Sequence, residues 1–95
     1  MGVISLLTRS DYEDASRRGA IIEKLSEELK RLGEDLESLA QEIKPHWRGQ
    51  AADAYIVQCM KLRGSIAETA GDMAYAGRLV KQAAEAGISD LTAQA

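Results

Sequence analysis

From Ile22 onward the large apolar residues arrive in steps of three and four: Ile22, Leu25, Leu29, Leu32, Leu36, Leu39 and Ile43. Held for three heptads, that alternation predicts a helix with a narrow apolar seam, suited to left-handed, coiled-coil-like packing. Charged side chains fill the intervals and make the solvated side. At the head of this pattern Ser10 and Glu13 have the spacing of a capping box, in which each satisfies a free backbone donor at the helix start. The first helix is placed at about residues 11–44.

The pattern breaks only once. Residues 44–53 read KPHWRGQAAD and hold the single Pro, the single His and the single Trp of the chain. Pro45 lacks an amide hydrogen and disfavours the helical conformation for the residue before it. Gly49 supplies a position with free dihedrals. Residues 45–49 are therefore a turn.

Beyond the turn the same steps resume with smaller side chains: Ala52, Tyr55, Cys59, Leu62, Ile66, Thr69, Met73, Ala76, Val80 and Ala83. Gly87 followed by Ile88 has the form of a helix terminus, glycine outside the last turn with a hydrophobic neighbour. The second helix is placed at about 50–86, with a mobile tail at 89–95. Two helices of similar length, each about 50–55 Å long at 1.5 Å per residue, fold back as an antiparallel hairpin. The whole chain is one all-α domain.

A two-helix hairpin cannot enclose its own apolar stripes. A row of small residues runs beside the first seam at heptad spacing (Gly19, Ser26, Gly33, Ala40), and the second helix carries Ala67, Ala70, Gly71, Ala74 and Gly77. Each helical Gly costs about 1 kcal/mol of propensity relative to Ala, so several of them imply a return in close packing. Two hairpins joined in a four-helix bundle would bury both seams. At 95 residues, with four aromatics and one cysteine, the chain has little else to stabilise it. A partner chain is expected.

The net charge of −3 and the lack of a basic block argue against nucleic acid. The apolar run at residues 2–7 is too short for a signal-peptide core, and nothing approaches the length of a membrane span. Leu6 stands where a myristoylation pattern wants Ser or Thr. His46 has no companion ligands at metal-site spacing. Cys59 lies on the second seam, far from the only His, and reads as a small apolar residue rather than a nucleophile. The carboxylates of the first helix alternate with Lys30 and Arg31 as a solvated face. No enzyme activity, metal or cofactor is expected.

Trp47-Arg48-Gly49, midway between two long amphipathic helices in an acidic chain of this length, resembles the WXG-motif family. These are the small early-secreted-antigen-like substrates of bacterial type VII secretion, and the resemblance spans essentially the whole chain. It implies a protein exported without a cleavable signal peptide, working as a homodimer or as a heterodimer with a second small helical protein, and contacting a secretion ATPase or a larger toxin. It also implies that Trp47 and Gly49 help form, with a partner's end, a recognition surface at the bend; by its size and its place next to the bend, Trp47 is expected to plug the end of the bundle where the helices separate. The chain departs from the family in one respect. The export signal Tyr-x-x-x-Asp/Glu past the second helix is missing, since Tyr55 is followed four residues later by Cys59 and Tyr75 by Leu79. That departure favours travel with a different partner. Two further readings fit the same residues: a dedicated targeting chaperone for the helical N-terminal domain of a larger toxin, and a cytoplasmic coiled-coil scaffold.

Overall fold

The computed structural model describes residues 7–94, with the side chain of Gln94 left aside. The apolar run at residues 2–7 lies outside them apart from Leu7. Two helices make up the fold, α1 over Arg9–Ile43 and α2 over Gln50–Gln94. They pack antiparallel along their length in an elongated hairpin of 69 × 25 × 14 Å.

The start of α1 differs from the sequence expectation. Its cap is Thr8, not Ser10: the Thr8 hydroxyl accepts from the Asp11 amide at 3.2 Å, and the Thr8 amide donates to the Asp11 carboxylate at 2.8 Å. Asp11 stands at the third helical position, where a capping box needs a side-chain acceptor, so the box closes two residues early. Ser10 and Glu13 fall inside the helix, and Glu13 pairs with Arg9 instead at 3.2 Å.

At the other end α1 stops because Pro45 has no proton to donate back along the helix. Lys44, just before it, remains helical (φ −49°, ψ −44°), and its amide still donates to Ala40 O at 3.1 Å. The expected steric effect of proline on its predecessor is therefore overridden here. His46 and Trp47 both donate to Ile43 O, at 2.9 and 3.1 Å. Their two bonds tighten the chain into the turn. Gly49 completes it at φ +116°, a conformation open to glycine and strained for any other residue. Its carbonyl then accepts from Asp53 at 3.0 Å, opening α2.

Helix α2 runs past Gly87 to Gln94, so the terminus expected near residue 86 and the tail at 89–95 are replaced by helix through Gln94. The reason is tertiary. The ring of Tyr12 lies where a Cβ of residue 87 would be. Glycine here makes room for a side chain of the other helix and does not end its own. Arg9 reaches Thr92 at 3.5 Å, and Thr92 donates to Ile88 O at 3.0 Å, linking the last turns to the start of α1.

Between the helices lies the row of small residues. Gly19, Ser26, Gly33 and Ala40 are the buried positions of α1, and Ala52, Ala70, Gly77 and Ala84 are buried on α2. Among the described residues no large side chain is fully buried. Ser26 settles its hydroxyl by donating to Glu23 O at 2.6 Å. Two ion pairs flank the contact, Arg63–Glu37 at 2.9 Å and Lys81–Glu23 at 3.3 Å.

Candidate interaction surface

The apolar seams read from the sequence are only partly used between the two helices. Each divides into two columns. Ile22, Leu29 and Leu36 on α1, with Cys59, Ile66, Met73 and Val80 on α2, are half-buried beside the small-residue contact. Leu25, Leu32, Leu39, Leu62 and Tyr55 are exposed, from 46% at Leu25 to 60% at Tyr55, and Ile43 is at the margin.

Both exposed columns lie on the same broad face of the hairpin. Helical positions three or four apart share a side, and in an antiparallel pair the opposite side is fixed independently. On that opposite side a groove of about 420 Å³ is lined by Glu27, Lys30 and Gly33 from α1 and by Ala67, Gly71 and Ala74 from α2. The Lys81–Glu23 pair sits there too. Leu25, Leu32 and Leu39 point away from that groove on α1, as Tyr55 and Leu62 do on α2. The result is one face rich in Leu and Ile, uncovered along its length, and one groove floored by Gly and Ala.

The bend closes one end of the apolar face. Trp47 is 42% exposed and stacks on Tyr55, with ring centroids 5.3 Å apart and planes 24° from parallel. Its ring lies over the first turns of α2. It therefore extends the apolar face at the bend end of the hairpin. Offset stacking of this kind adds about 0.5–1.5 kcal/mol beyond area burial. What holds the ring there is the turn: Gly49 at positive φ brings the chain back so that Tyr55 reaches Trp47.

His46 is exposed in the turn and Cys59 is half-buried on α2. Among the described residues no three His, Cys, Asp or Glu side chains converge as a metal site. No helix among them is long and apolar enough to cross a membrane. The sequence signal that would have separated the contact row from the exposed face is the spacing of seven between Gly19, Ser26, Gly33 and Ala40. Compared with known proteins, the chain matches no family model, no curated protein and no solved structure.

Proposed function

We propose that this chain is a helical export substrate or partner of a type VII-like secretion system, acting through protein–protein contact. The observation that carries the reading is the uncovered apolar face, running from Leu25 to Ile43 on α1 and across Tyr55 and Leu62 on α2. An exposed apolar surface of this extent is a docking site in a protein that stays in solution. A second hairpin laid on it completes a four-helix bundle and buries Ile22, Leu29 and Leu36 as the bundle core. The Trp47-Arg48-Gly49 bend, with an exposed Trp held by Tyr55, gives the secretion machinery a distinctive end to recognise.

The test is to follow the chain in its producing bacterium with the secretion ATPase intact and deleted. The reading expects the protein in the culture filtrate of the intact strain and its retention in cells of the deletion strain. Equal partition in both strains ends it.

A further inference from the structure

Ten of the twelve Lys and Arg residues lie inside α1 or α2, and only Lys44 and Arg48 stand in the bend. An endopeptidase directed to basic residues seats the side chain in an anionic pocket and holds the backbone around it extended. Helical backbone has to unwind before such an enzyme can take it, so the bend is where a cut comes first. Lys44 is disqualified by its successor. The nitrogen that would have to leave is the ring nitrogen of Pro45, and Lys44 itself is still helical. Arg48–Gly49 remains.

That bond is open on the sides an enzyme needs. Arg48 is exposed and makes no ion pair among the described residues. Neither the carbonyl of Arg48 nor the amide of Gly49 takes part in a backbone hydrogen bond among them. The bonds of the bend stop at the Trp47 amide and resume at the Gly49 carbonyl. Beyond its chain neighbours, no atom lies within 4 Å of where a Cβ on Gly49 would be.

We infer that Arg48–Gly49 is a processing site for an arginine-directed endopeptidase, and that hydrolysis there releases the two helices from each other. The C–N bond breaks as water adds: Arg48 keeps the oxygen as a carboxylate, and Gly49 leaves as an ammonium. The new ammonium sits at the start of α2, where the helix dipole disfavours a cation. Pairing of α1 with α2 also ceases to be intramolecular and loses the roughly millimolar effective concentration that a short connection supplies. The row between the helices is Gly, Ala and Ser, with no large side chain fully buried among the described residues. Little apolar surface is left to hold the pieces together.

The bend also sets the speed of the cut. Between Ile43 and Gln50 it is short, so the first turn of α2 has to open before an extended cleft can be filled. The Trp47–Tyr55 stack and the Asp53 to Gly49 hydrogen bond hold that turn shut. Cleavage then follows the population of the opened form.

Limited digestion of the full-length chain with trypsin, read by intact mass, is the test. Fragments 1–48 and 49–95 should appear first, and Arg48→Gln should slow the initial cleavage about tenfold or more. A lysine-specific endopeptidase should be slower than trypsin on the native chain by a similar factor. Tyr55→Ala leaves the residues flanking the bond unchanged and should speed the cut about two- to tenfold, the worth of one aromatic stack. The nicked protein at micromolar concentration should show less than half the helix signal of the intact chain in circular dichroism. A first cut at another bond, Arg48→Gln digested as fast as wild type, or a native chain that resists doses able to digest the denatured one overturns the site. Lysine-specific cutting as fast as that of trypsin overturns it too, since the helices would then open as readily as the bend. A helix signal unchanged by the nick overturns release, and an unchanged rate in Tyr55→Ala overturns the hold of the stack. None of these results depends on whether the chain is exported.

Discussion

Gly19 and Gly77 meet backbone to backbone. A Cβ on Gly19 would lie 2.8 Å from the carbonyl oxygen of Gly77, and one on Gly77 would lie 2.7 Å from that of Gly19. Alanine at either position gains helix propensity yet forces the helices apart. We predict that Gly77→Ala destabilises the hairpin by about 1–3 kcal/mol, the overpacking cost exceeding the ~1 kcal/mol propensity gain. Gly64→Ala is the control, because a Cβ there meets nothing within 4 Å, and it should stabilise by about 0.5–1 kcal/mol. Thermal melts followed by circular dichroism measure both. A Gly77→Ala variant as stable as Gly64→Ala would mean the helices do not touch there.

Leu32 and Ile66 belonged to equivalent seams in the sequence reading, but the structure treats them differently. Leu32 is exposed, whereas Ile66 is half-buried and would touch a Cβ on Gly33 at 3.0 Å. Leu32→Asp should therefore keep its helix content. Ile66→Asp should lose helix content, since it pushes a charge toward the helix contact. Circular dichroism on the two variants separates these outcomes, and equal loss of structure in both would contradict the assignment of faces.

Gly49→Ala tests the turn. At φ +116° a Cβ is strained whatever the surrounding space, at a cost of about 1–3 kcal/mol. The melting temperature should fall while the helix signal before melting stays near wild type.

Trp47→Ala should cost about 1–2 kcal/mol, less than the ~3–5 kcal/mol of a fully buried Trp, because the ring is partly exposed and held mainly by Tyr55. Under the proposed function its larger effect is on export. Wild-type amounts of the variant in the culture filtrate would remove the bend from recognition.

Tyr12 and Gly87 form a closing contact far from the bend. Gly87→Ala drives a methyl into the Tyr12 ring and should destabilise; adding Tyr12→Ala should recover part of that loss. A double-mutant cycle with no coupling would show that the last two turns of α2 do not depend on α1.

Most of the architecture was legible because it depends on local rules: steps of three and four for the helices, and Pro45 and Gly49 for the turn. The face assignment was less so. Hydrophobic periodicity gives weight to Leu25, Leu32 and Leu39, yet two helices approach most closely where side chains are smallest, so Gly19, Gly33 and Gly77 took the contact. Gly87 was misread for a related reason. A glycine that ends a helix and one that admits a neighbour's ring look the same until the neighbour, Tyr12, is in place. Thr8 and Asp11 were passed over because Ser10 and Glu13 have the more familiar capping letters.

A hairpin closed on Gly, Ala and Ser has a further consequence for how it melts. Little apolar surface passes into water when such helices part, so the heat-capacity change should fall well below the ~12–15 cal/mol/K per residue of ordinary globular proteins. The denaturant slope should be correspondingly shallow. Alone, the chain should lose its structure over a broad range of temperature. Covering Leu25, Leu32, Leu39 and Leu62 adds the missing surface to the same transition, and the steepness of unfolding becomes a direct gauge of occupancy.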